Sequence, residues 1–315
     1  MSVAFLSQHE LSCLKIYRLF KMSLSSPKSQ LQALIFLLVA MICVQSSGSL
    51  AKVLFQSYPV LTVSAMRLCF GALILAVIFQ AWKIQWQKVR WKAIISYGLA
   101  LAGMNALFYL SLQRLPLGIA VAFEFVGPLS IALYYARQKY DLIWVCCAIV
   151  GLLLLFPFHQ ASHHLDLIGI AYALAAGACW ALYIIAGQKP SGISGNHTVF
   201  LGMTIGALLL IPIAFLTGSM AHVFELPDIF YFIALAILAS ALPFSLEMLA
   251  LRRLTALSFG TLMSMEPAVA AFSGFIFLGE KLIWSQWLAL ATIITASVGC
   301  TVTTQRAKRT DHVVP

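Results

Sequence analysis

Glu124 and Glu266 each stand inside a long apolar run, and Arg67 lies within another. An ionised side chain at the centre of a bilayer is disfavoured by about 2.5–3.5 kcal/mol even on insertion-based scales. Residues kept there despite that penalty point to a task. A guanidinium offers a fork of N–H donors that matches a carboxylate. A glutamate can accept from an ammonium, or exchange that ammonium for a proton. Together they suit a molecule carrying both charge signs. Gln45 and Asn105 add amide groups on other runs, and Lys52 closes the first run. Glu124, Glu266, Arg67, Asn105, Gln45 and Lys52 are therefore the expected substrate-binding or coupling residues. One glutamate is expected to couple to protons and the other to answer Arg67 as an ion pair. Glu247 sits close in sequence to Arg252 and Arg253, which predicts a structural role near a membrane face. Ser46, Ser47 and Ser49 either line the same path or serve helix packing, and Trp180 and Tyr183 are expected to fill the core. Pro128, Pro243 and Pro267 should bend their helices, because proline lacks an N–H and crowds the carbonyl four residues earlier.

The elements that position these residues follow from composition. Hydrophobic residues make up 62% of the 315 and charged residues 10%, against roughly 25% charged in soluble domains. A helix needs about 20 apolar residues to cross the hydrocarbon core. Runs of this kind lie near 31–53, 61–81, 93–112, 117–136, 142–158, 167–187, 198–217, 229–249, 256–278 and 284–303. The reading is an all-α polytopic membrane bundle of ten transmembrane helices. The runs lack the two-residue alternation of barrel strands.

The net charge of +10 would suggest nucleic-acid binding in a soluble protein. Here the basic residues mark orientation instead. Sixteen of the twenty lysines and arginines fall in alternate connections and the two tails, while Arg114 and Lys281 fall on the other side. Cytoplasmic loops carry the excess of lysine and arginine, so both termini are placed in the cytoplasm and the chain in a bacterial inner membrane. Trp82, Trp86 and Trp91 flank the basic loop as interfacial anchors would. Residues 1–30 read as a cytoplasmic segment without the features of a cleaved signal, with Met22 as an alternative start, and residues 304–315 as a cytoplasmic tail.

The seven cysteines form no CxxC pair, and all seven histidines fall outside the expected spans. No HExxH or phosphate-binding loop occurs. No metal, cofactor or catalytic residue is expected, and the chain is not read as an enzyme.

The chain also aligns with itself. RLPLGIAVAFEFVGP (114–128) matches RLTALSFGTLMSMEP (253–267) at an offset of 139, and FGALIL (70–75) matches IGALLL (205–210). Five spans per half, over 31–158 and 167–303, make a 5+5 inverted repeat. Such repeats let a central site open to one side and then the other.

The runs PLGIAVAFEFVGPL (116–129), AGACWALYI (176–184), LPFSLEMLAL (242–251) and FGTLMSMEPAVAAFSGFIFLGE (259–280) resemble the drug/metabolite transporter superfamily, in its EamA branch. The resemblance spans about residues 30–305. It implies a secondary exporter of small amino acids of the threonine and homoserine type, with protons as the coupling ion and no nucleic-acid partner. Efflux of other metabolites or cationic drugs is the alternative within the same fold. An intramembrane enzyme or a scaffold leaves the buried charges and the repeat unexplained.

Overall fold

The computed structural model describes residues 27–115, 117–136, 139–155, 166–217, 223–266, 268–269 and 284–310. Among them the regular structure is helical throughout. The helices are α1 (Pro27–Ser57), α2 (Val60–Ile78), α3 (Trp91–Leu112), α4 (Leu117–Glu124), α5 (Val126–Tyr135), α6 (Lys139–Leu155), α7 (Leu167–Gln188), α8 (Gly195–Thr217), α9 (Asp228–Ala236), α10 (Leu242–Leu251), α11 (Ala256–Met263) and α12 (Trp284–Thr310). Runs of apolar residues favour helices in lipid because a helix satisfies its own backbone groups. Six stretches of the described residues are long and apolar enough to cross a membrane: Ser29–Ser47, Val60–Ile78, Trp91–Leu112, Leu167–Gln188, Gly195–Leu216 and Asp228–Leu251. Ala120–Tyr135 and Trp287–Cys300 are shorter apolar helices.

The helices pack in pairs: α3 on α7, α10 on α1, α2 on α8, α6 on α12 and α5 on α11. Leu68, Tyr97, Leu101, Phe125, Tyr183 and Phe259 are buried between them. Leu73, Val77, Leu153, Leu174, Leu208 and Phe215 point outward. An apolar outer face of this extent suits hydrocarbon rather than water. The chain is a multi-pass membrane protein.

Three expected spans depart from simple helices. The 117–136 run is two helices, because α4 stops at Glu124 and α5 starts at Val126. Phe125 N still donates to Val121 O at 3.0 Å, and Leu129 N to Phe125 O at 3.2 Å. Pro128 has no N–H to give the Glu124 carbonyl between them. The bend expected at Pro128 therefore falls near Glu124, one turn upstream. The 229–249 run contains a π-helical segment, Ile237–Ala241, directly before Pro243. In the 284–303 run, the helix continues to Thr310. Pro267 and the side chains of Lys52 and Ser49 lie outside the described residues.

His197 corrects the sequence reading. It sits in the first turn of α8, with Nε2 2.8 Å from the Phe79 carbonyl oxygen. At one end of the bundle Asp166 caps α7, accepting from Ile168 N at 2.8 Å and Gly169 N at 3.3 Å. Arg114 donates to the same carboxylate at 2.7 Å, which holds it below the usual carboxylate range.

Candidate functional site: a charged cavity

The sequence residues meet in a cavity of about 390 Å³, within the ~300–1,000 Å³ typical of small-molecule sites. Helix α1 contributes Gln45 and Ser47, α2 Arg67, α3 Asn105 and Tyr109, and α4 Glu124. From the later part of the chain come Trp180 of α7, Phe244 and Glu247 of α10, and Glu266 just beyond α11. Four of the six expected residues are lining residues from the first half and one from the second. The side chain of Lys52 is not described.

Arg67 is 6% exposed. Its Nη1 donates to the Tyr109 hydroxyl at 2.7 Å, and its guanidinium carbon lies 5.0 Å from the centroid of that ring. Its Nε has no hydrogen-bond partner among the described residues. The expected ion pair with a glutamate is absent: Arg67 makes none with Glu124, Glu247 or Glu266. A phenol on α3 holds the guanidinium instead, and no carboxylate among the described residues contacts it.

Glu124 is placed by the helix break and by a close backbone contact. A Cβ on Gly127 would lie 1.9 Å from the Gly177 carbonyl oxygen, and one on Gly177 would lie 2.5 Å from the Glu124 carbonyl oxygen. Only glycine on both sides lets α5 meet α7 backbone to backbone, as small residues do in membrane helix pairs. The Glu124 side chain makes no hydrogen bond or ion pair among the described residues and faces the cavity. Asn105 spends an amide N–H on Leu101 O of its own helix at 2.7 Å. Ser47 bonds Val44 O at 2.6 Å and borders the cavity, whereas Ser46 is exposed on the outside of α1.

Sequence reasoning missed two participants. Glu247 is a cavity residue, buried, and accepts from the Tyr183 hydroxyl at 3.0 Å. Its neighbour Arg252 turns away to Ser191 Oγ and Thr198 Oγ1, both at 2.9 Å. Phe244 and Glu247 share one face at a spacing of three, and that pattern could have placed Glu247 on the lining. Tyr109, the partner of Arg67, stands 42 residues away in sequence and left no local signal. Phe55, Phe108, Phe125 and Trp180 complete an aromatic wall. Phe125 meets Trp180 edge-on at 4.9 Å.

Apolar helices that surround a cavity holding one cation and three carboxylates define a membrane transport protein for small molecules. Residues 167–302 match the EamA-like transporter family. The chain is 49% identical over 278 residues to the threonine/homoserine exporter RhtA of Escherichia coli (strain K12), covering 88% of this chain and 93% of that one. The exporter of the same name from Salmonella typhimurium (strain SL1344) is 49% identical over 282 residues, covering 89% of this chain and 95% of that one. A protein of known crystal structure shares the fold, with a TM-score of 0.75 at 14% identity over 90% of this chain and 99% of the other. The chain belongs to the EamA-like transporter family.

Proposed function

We propose that the chain exports small zwitterionic amino acids of the threonine and homoserine type across the inner membrane, by proton antiport with alternating access. The observation that carries the reading is the cavity, where Arg67 and three carboxylates from both halves of the chain line one volume. The relatives' names supply the substrate class. Arg67 takes the substrate carboxylate and the acidic wall takes its ammonium. A proton and an ammonium compete for the same negative wall, since each neutralises charge that the other would need. Glu124 and Glu266 are the proton-exchanging candidates, because neither carboxyl has a competing hydrogen bond among the described residues.

The architecture proposed with this function is ten spans in a 5+5 inverted repeat, over 31–158 and 167–303, with both termini cytoplasmic. The packing pairs support it. Exchanging the halves converts the α3–α7 pair into the α10–α1 pair, while α2–α8, α5–α11 and α6–α12 each map onto themselves. Pro128 and Pro243 would then supply the bends about which the halves rock.

The test is efflux of labelled homoserine from cells expressing the protein, with and without an uncoupler. Uphill efflux that the uncoupler stops is expected. Efflux equal to that of cells lacking the protein would overturn the reading. The aromatic wall beside three carboxylates favours a second reading, transport of organic cations. Tolerance gained only to hydrophobic cations would select it. Arg67 argues against it, because a buried guanidinium repels a cation.

A further inference from the structure

We propose that Glu247, positioned by Tyr183, is the residue that holds the substrate's ammonium group. The inference deepens the export reading and rests on it for the substrate's zwitterionic character. The three carboxylates of the cavity are not equivalent. A zwitterion whose carboxylate docks on Arg67 presents its ammonium to the acidic wall of the same cavity, to which Glu247 contributes.

The Glu247 carboxylate is also the one the structure fixes. Its Oε2 accepts from Tyr183 Oη at 3.0 Å, and it makes no other hydrogen bond or ion pair among the described residues. One oxygen is therefore oriented and the other is free for a ligand. Glu124 and Glu266 have no side-chain hydrogen bond of this kind. Tyr183 is fully buried and tilted against Tyr97 at a centroid distance of 5.0 Å. Tyr97 in turn lies on bare backbone: a Cβ on Gly202 would come within 2.4 Å of its ring. The phenol that orients Glu247 is thus itself locked by packing, as a recognition group requires. Phe244, one turn before Glu247 on the same helix and also lining the cavity, has its ring centroid 6.2 Å from that of Tyr183. An ammonium on Glu247 would meet a carboxylate and aromatic rings together, both of which attract a cation.

The test is protection of Glu247 from a hydrophobic carbodiimide, which adds to a neutral carboxyl and leaves an acylurea that mass spectrometry locates. The purified full-length protein is treated at mildly acidic pH, alone and with ethylammonium or homoserine. Labelling at Glu247 is expected, with a severalfold reduction by both amines. Tyr183→Phe should raise the protecting concentration of each about tenfold, the worth of one hydrogen bond to a charged group. In reconstituted vesicles the same variant should raise KM for homoserine by a similar factor and leave the maximal rate within about twofold. Glu247 left unlabelled, or labelled equally with both amines present, overturns the proposal. A Tyr183→Phe protein that loses maximal rate at unchanged KM overturns the positioning role. Protection by ethylammonium but not by homoserine supports Glu247 as the ammonium site and refutes the amino-acid reading alone.

Discussion

Replacing Gly127 with alanine should disable transport without touching any charged group. A Cβ there would stand 1.9 Å from the Gly177 carbonyl oxygen, 2.5 Å from its carbon and 2.9 Å from its Cα. These are backbone atoms, so no side-chain rotation relieves the overlap. Ordinary contact begins near 3.4 Å, so α5 and α7 must part by roughly 1–1.5 Å, an overpacking that costs about 1–3 kcal/mol. The displacement falls between Glu124, three residues before Gly127, and Trp180, three residues after Gly177. Misplacing working groups by ~1 Å can cost ~10²-fold in rate. Homoserine exchange in reconstituted vesicles should therefore drop by ten- to a hundredfold, on the order expected for such a shift, while the protein still folds with a lowered Tm. Gly151→Ala is the control. Its nearest neighbour is the Ile293 side chain at 2.5 Å, on the α6–α12 contact away from the cavity. That variant should lose some stability and keep its transport rate. A Gly127→Ala protein that exchanges homoserine like the wild type would refute the reasoning.

Three further outcomes are expected. Tyr109→Phe strips the acceptor from Arg67 Nη1 and leaves a buried charged donor unpartnered, a loss of about 1–3 kcal/mol; thermal unfolding and the KM for homoserine would both register it, and neither changing would contradict the assignment. Asp166 is held below the usual carboxylate range by its hydrogen bond from Arg114, so its stabilisation is present above a pH of ~3.9 and lost as pH falls through the lower folded value; Asp166→Ala should lower Tm at neutral pH and remove this acid-dependent part of the unfolding curve. A green fluorescent fusion after residue 315 should fluoresce and an alkaline phosphatase fusion there should stay inactive, the reverse result overturning the proposed orientation.

Much of this arrangement was legible in the residues. The long apolar runs dictate helices, and the penalty for buried charge singled out Arg67, Glu124 and Glu266, all of which line the cavity. What stayed hidden depends on contacts distant in sequence. The nearness of Arg252 and Arg253 suggested an interfacial Glu247, but Arg252 finds its acceptors on Ser191 and Thr198, just before and within the first turn of α8. The ion pair expected of Arg67 gives way to Tyr109 because helix packing, which no local pattern encodes, brings a hydroxyl nearer than a carboxylate. Pro128 announced a bend, yet its position at Glu124 follows from which carbonyl loses its donor.

The central claim, that this cavity exchanges an amino acid for protons, is tested most directly in vesicles of purified protein loaded with labelled homoserine. An acidic exterior should speed release of the label, and a protonophore that collapses the gradient should return release to its basal rate. Release that is indifferent to the pH gradient would contradict proton exchange, and release no faster than from protein-free vesicles would contradict amino-acid export itself.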